Sequence, residues 1–371
     1  MSATWIERFD DPGGDGVRLA VKDIIDLAGV PTTAGCKAVA DRAEPAAVDA
    51  PLLAGARAAG ARIVGKTNLH ELAFGTSGVN EWYGTPVNPA DPSLVPGGSS
   101  SGSAVAVGTG EADVAYGSDT GGSVRIPAAC TGTAGLKTTW GRIPLEGVWP
   151  LAPSLDTIGP MARDVAGLVT GMTLLEPGFA VAAATPHVVG RFRGLPADPS
   201  IDQALDRALA EAGFEVVDGE LPGWKAASSQ GAALLMAEAW RSDRALLEAD
   251  AAGVSGPVAR RLRQGGEVDE ASVSRAWAAQ AVWQAELAGL FRQVEMLALP
   301  TLLVDPPAVT AEKVDLTMAT LAVNYAGNPA LSLPVPRPGA AVPASLQLVG
   351  APGAEEQLLA AGAVVEAAVR P

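Results

Sequence analysis

The sequence predicts a single α/β domain built on one large β-sheet flanked by helices. Three observations point to it. Helix and strand patterns alternate along most of the chain, no internal repeat or flexible linker divides it, and strand-like apolar runs near the C-terminus are placed to complete a sheet begun at the other end. With 371 residues, 48% of them hydrophobic, the chain can bury a large core without covalent staples.

Taken in order, residues 17–21 form a short β-favouring run that reaches Lys22 and Asp23 just as it ends. Residues 49–59 read as a helix closed by Gly60 in the C′ position, followed by the strand ARIVGK and a second helix that carries His70. Between residues 93 and 135 small residues dominate, and the apolar pieces 104–107 and 114–116 are expected as buried helix or strand between glycine-rich turns. Residues 176–199 hold a connection and one strand. SIDQALDRALAEAGFEVVDGELP then reads as a helix with Ser200 as N-cap and Gly213 as stop, followed by a strand. Residues 234–247 and 269–292 are long helices, VEMLALPT is a buried strand, and NYAGNPALSLPVP, ASLQLVG and a helix after Pro352 finish the sheet.

The formal charge of −15, from 41 acidic and 26 basic residues, opposes binding to nucleic acid. Cys36 and Cys130 lie too far apart to suggest a disulfide framework or a metal-ligand spacing, so no metal and a reducing, cytoplasmic home are expected. The acidic start MSATWIERFDDPGGDG is unlike a signal peptide, and no run approaches the roughly 18 apolar residues of a membrane span. GARIVGKT, residues 60–67, matches the phosphate-loop pattern letter for letter. Such a loop must follow a strand and open a helix, whereas here Gly60 follows a helix and the intervening ARIV is itself the strand. The segment is read as a helix cap and a strand end, with a nucleotide-binding protein as the reading of a different class.

GSDTGGSVRIP, residues 117–127, has the composition of a tight turn presenting a nucleophile, Ser123. A serine hydroxyl needs a base, and the chain has two histidines, His70 and His187, neither near another triad member. Lys22 at a strand end can serve if burial keeps its amine neutral, and a serine of GGSSSGSA, residues 97–104, can pass the proton between them. The glycines before Ser123 let backbone N–H groups approach an oxyanion.

VKDIIDLAGVPTTAG, GARIVGKTNLHELAFGTSGVNEWYGTPVNP, VPGGSSSGSAVAV and GSDTGGSVRIPAACTGTAGLK, in this order, resemble consecutive blocks of the amidase signature family. The likeness is dense over residues 17–170, the signature core, and looser over 171–371, a variable helical region with the strands that complete the sheet. The resemblance implies a mixed central sheet, no cofactor, and a Ser-cisSer-Lys triad with Ser123 as nucleophile, Ser99 as relay on a cis peptide, and Lys22 as base. It also implies an oxyanion hole from Thr120, Gly121, Gly122 and Ser123, with Ser100 and Asp119 in support. Arg125 either meets a substrate carboxylate or holds the loop, and His70 is structural. The function implied is hydrolysis of a small-molecule amide, with a homodimer as the assembly considered. The amidase component of a tRNA-dependent amidotransferase is the alternative, and the shortened chain argues against it.

Overall fold

Short strands rich in Val, Leu, Ala and Gly pair in an order far from their order along the chain. They are β1 (Trp5–Arg8), β2 (Arg18–Lys22), β3 (Arg62–Thr67), β4 (Val114–Ser118), β5 (Ala134–Lys137), β6 (Ile158–Ala162), β7 (Val188–Phe192), β8 (Glu215–Gly219), β9 (Met296–Pro300), β10 (Ala330–Val335) and β11 (Ala344–Val349). The computed structural model describes residues 3–10, 13, 15–312 and 314–369. Among these, the eleven strands form one sheet in the order β1-β3-β2-β4-β6-β5-β10-β11-β9-β7-β8. The sheet is mixed. β3, β2 and β4 run parallel, β9, β7 and β8 run parallel, and antiparallel pairs join the two groups. The C-terminal β10 docks on β5, so both ends of the chain build the same sheet, as the tail pattern predicts.

The helices are α1 (Lys37–Ala40), α2 (Ala54–Ala58), α3 (Ser101–Gly108), α4 (Arg125–Thr131), α5 (Val165–Leu175), α6 (Pro199–Glu211), α7 (Trp224–Ala249), α8 (Gly256–Gly266), α9 (Glu270–Leu290), α10 (Leu321–Ala326) and α11 (Glu355–Val369). Alternation along β4 separates the two layers. Val114 and Tyr116 join the cluster containing Leu168, Met172 and Leu358 of α5 and α11, while Ala115 faces Ala104, Ala106 and Val107 of α3. α4 packs beside α3 on that second face, and α8 and α9 each pack on α7.

Two sequence expectations change. No α-helix follows β3: residues 71–73 make a single 3₁₀ turn, with Leu72 and Ala73 at φ of 53° and 56°, and His70 is extended. A helix there would break the backbone bond from His70 N to Ser99 O, 2.9 Å long, so tertiary pairing overrides the local pattern. The cap of α6 is Asp198, whose carboxylate accepts from Ser200 N at 2.7 Å, because Pro199 already supplies the first helical φ. Gly60 and Gly213 are left-handed at φ of 68° and 75°, as their stop positions require. Sequence reading did not foresee α8, whose glycines Gly265 and Gly266 mask a helical pattern. Gly265 is needed where α8 crosses α7, since a Cβ there would meet Met236 O.

Candidate active site

Lys22 is the last residue of β2 and Ser118 the last of β4, and the parallel pairing of these strands brings both to the same edge. The turn leading into α3 delivers Ser99 and Ser100 to that edge, with a cis peptide between Gly98 and Ser99. Lys22 Nζ lies 2.7 Å from Ser99 Oγ, 3.0 Å from Ser100 Oγ and 2.8 Å from Ser118 Oγ. All are buried. Desolvation lowers the Lys22 amine from its ordinary value to about 7, with Asp156 and Asp119 partly opposing the shift. A neutral amine in a cage of hydroxyls has a lone pair to offer, and the hydroxyls can satisfy it without fixing its charge.

Ser123 sits between β4 and α4 and is nearly buried. Its carbonyl accepts from Ser100 N at 3.2 Å, which seats the two serine segments against each other. Asp119 organises the loop: its carboxylate accepts from Gly122 N at 2.8 Å, Val124 N at 3.1 Å and Asn324 Nδ2 at 2.7 Å, and it forms a two-point pair with Arg125 at 2.8 and 2.9 Å. Burial alone would raise the Asp119 carboxyl, and the Arg125 guanidinium overrides it and holds the group far below the usual carboxylate range. Arg125 is fully buried and also donates to Gln347 and Asn324, so of its two expected roles it fills the loop-holding one.

Gly122 has φ of 126°, and a Cβ there would strike Thr320 Oγ1 and Ile126. Of the four residues expected as oxyanion donors, Gly122 has its N–H committed to Asp119, while the N–H groups of Thr120, Gly121 and Ser123 have no such acceptor among the described residues. Thr120 is fixed through its hydroxyl, which donates to Asp156 Oδ1 at 2.5 Å. Asp156 and Ser118 are the site residues that sequence reading missed. Ser118 lies inside the quoted block GSDTGGSVRIP and Asp156 in the turn before β6, and nothing in SLDT or AYGS distinguishes them from ordinary turn and strand residues.

A cleft of about 640 Å³ is walled by His70, Phe74, Gly75, Ser77, Arg261 and Asp315, together with Glu71, Glu81 and Glu312, and Lys22, Ser99 and Ser123 are not among its walls. His70 and Gly75 border the Gly98–Ser99 backbone. Burial, with Arg261 and Lys22 nearby, lowers the His70 imidazole to about 4, so it is neutral and not poised as a base at neutral pH. The Arg261 guanidinium stacks 4.6 Å above the Phe74 ring and has no ion pair among the described residues. The Lys66 of the phosphate-loop look-alike is buried on β3, with its amine 2.8 Å from Asp23 Oδ1. Among the described residues no three His, Cys, Asp or Glu side chains converge as a metal site, and no helix is long and apolar enough to cross a membrane.

Comparison with known proteins shows the family. A family model described as Amidase matches residues 10–176 and 181–359. A glutamyl-tRNA(Gln) amidotransferase subunit of Halobacterium salinarum is 34% identical, the match covering 99% of this chain and 98% of that protein. The 2-amino-5-chloromuconic acid deaminase of Comamonas testosteroni is 36% identical over 99% of this chain and 86% of its own. A crystal structure of an amidase superposes with a TM-score of 0.89 at 32% identity, covering 95% of this chain and 85% of the other. The chain belongs to the amidase signature family, and it is an enzyme of the class that cleaves amide C–N bonds.

Proposed function

We propose that the chain hydrolyses a carboxylic amide in a small molecule through an acyl-enzyme on Ser123. The observation that carries this reading is the buried Lys22 amine, depressed to about 7 and bonded to Ser99. Ser123 Oγ attacks the amide carbon as its proton passes through Ser99 to Lys22. The backbone N–H groups of Thr120, Gly121 and Ser123 receive the oxyanion. As the C–N bond breaks, the proton returns through Ser99 to the leaving nitrogen, and water repeats the sequence to release the acid.

The substrate carries a carboxylate. Arg261, half-buried and without an ion pair among the described residues, lines the cleft whose His70 and Gly75 walls border the Gly98–Ser99 backbone, and a charge-assisted bond to a carboxylate would compensate its desolvation. Two relatives support this in their names, the aminochloromuconic acid deaminase and a 1-carboxybiuret hydrolase subunit of a Pseudomonas species, 32% identical over 95% of this chain. The second reading, an amidotransferase component, is favoured by several relatives bearing that name. Chain length does not count against it, because the Halobacterium protein is matched over 98% of its length. Ammonia release from a panel of amides, with and without a second carboxylate, decides the matter. The proposal expects turnover by the chain alone, favouring acidic amides, and formation of a hydroxamate with added hydroxylamine. Turnover appearing only with tRNA and further subunits would select the second reading.

A further inference from the structure

Three side chains of α7 grip the loop between β5 and β6, and one of them is a carboxyl that weakens the fold at neutral pH. Glu238 Oε2 accepts from Ser154 N at 3.0 Å, Ser242 Oγ donates to Leu151 O at 3.2 Å, and Asp243 Oδ1 accepts from Trp149 Nε1 at 3.1 Å. The far end of this loop is Asp156, whose carboxylate accepts from Thr120 Oγ1 and from Leu151 N and Ala152 N. Its near end is tied to the base: Trp149 N donates to Ile24 O at 2.7 Å, and Ile24 N donates to Lys22 O at 2.7 Å. Residues 149–156 therefore touch both the oxyanion strand and the turn behind Lys22.

Asp243 is fully buried, and its Oδ2 has no hydrogen-bond partner among the described residues. The charged groups that face it are Asp156 from the loop and Glu71 from the 3₁₀ turn, both acidic. Burial pushes its carboxyl up to about 7, the two acids push the same way, and the Trp149 bond opposes them. A carboxyl whose folded pKa lies above its unfolded value, about 3.9, lowers stability as pH rises from about 4 to about 7. An asparagine would keep the Trp149 bond without that cost.

We propose that Asp243 is a positioning residue for the Ser123–Ser99–Lys22 relay, acting through Trp149 and the 149–156 loop. The proposal rests on the relay described above, so its test is chosen to need no native amide. In the reaction of the full chain with 4-nitrophenyl acetate, Ser123 Oγ bonds to the acetyl carbon, nitrophenolate departs, and the serine proton moves through Ser99 to Lys22. The rate of the nitrophenolate burst against pH reads the relay directly. Trp149→Phe and Asp243→Leu should each slow acylation by about tenfold and move the midpoint of its pH limb, whereas Asp243→Asn should stay within about threefold. The double variant should be no slower than the slower single, because both changes break one linkage. If Asp243→Leu does not fold, Trp149→Phe and Asp243→Asn carry the same comparison. A folded Trp149→Phe protein with unchanged rate and midpoint, or independent multiplying effects, would overturn the proposal and leave the relay standing. A wild-type chain with no Ser123-dependent burst would overturn the relay and the proposal together.

Discussion

Two buried lysines stand on neighbouring strands, Lys22 ending β2 and Lys66 one position before the end of β3, with both side chains fully enclosed. Lys66 meets the Asp23 carboxylate and Thr32 Oγ1, both at 2.8 Å. Lys22 meets three serine hydroxyls, and the acids that raise its pKa, Asp156 and Asp119, are not among its hydrogen-bond partners. Burial is common to both, so the partners decide the role. A carboxylate partner favours the ammonium and makes the pair a brace, whereas hydroxyls leave desolvation unopposed at close range and the amine can be neutral. The adjacent Asp23 lies in the turn after β2, and its carboxyl is taken up by Lys66 Nζ at 2.8 Å and Thr33 N at 3.1 Å.

The largest effect that would break this comparison is at the nucleophile: Ser123→Ala should lower kcat by about 10⁴ to 10⁶-fold in an ammonia-release assay. Near-normal turnover would remove Ser123, and with it the purpose of a neutral Lys22. Next come the lysines themselves. Lys22→Arg should be almost as damaging as Lys22→Ala, since a guanidinium stays protonated, while Lys66→Arg should keep most activity because it can still pair with Asp23. Equal losses at the two positions would erase the distinction. Lys66→Met should leave Asp23 buried without its partner and cost about 3–5 kcal/mol of stability, read as a lowered midpoint in urea, with kcat of the folded fraction little changed. Ser118→Ala, which removes one hydroxyl from the cage, should reduce kcat/KM by about tenfold and shift its pH limb. The smallest effect should come from replacing His70 by Gln and His187 by Ala together. The rise of kcat/KM with pH belongs to Lys22 losing its proton near 7, so activity falls as pH drops through that value, and this limb should survive loss of both imidazoles.

Much of the fold was legible because the strand runs and the glycine stops Gly60 and Gly213 are local signals. The sheet order was not, since β10 pairing with β5 depends on contacts across most of the chain. The quoted blocks pointed to Lys22, Ser99 and Ser123, and the structure joins the first two by a hydrogen bond. The partners of these residues were hidden. Ser118 and Asp156 act through tertiary contact with Lys22 and Thr120, and Arg261 lies on α8, the helix that sequence reading did not foresee, against Phe74. His70 misled in the opposite direction, because the apolar spacing of TNLHELAF suggests a helix, whereas its backbone is drawn out to reach Ser99.

The central claim is that Lys22 is neutral in the free enzyme at working pH, and its own titration tests that most directly. The chain has six lysines, few enough for their side-chain carbon resonances to be followed individually after ¹³C labelling. Lys137, also lowered to about 7 by burial, is identified through Lys137→Arg, and Lys22 through Lys22→Arg. The Lys22 signal should titrate near pH 7 and report a neutral amine above it. A Lys22 signal that stays in its charged position until about pH 10, the ordinary range of an exposed lysine, would contradict the account.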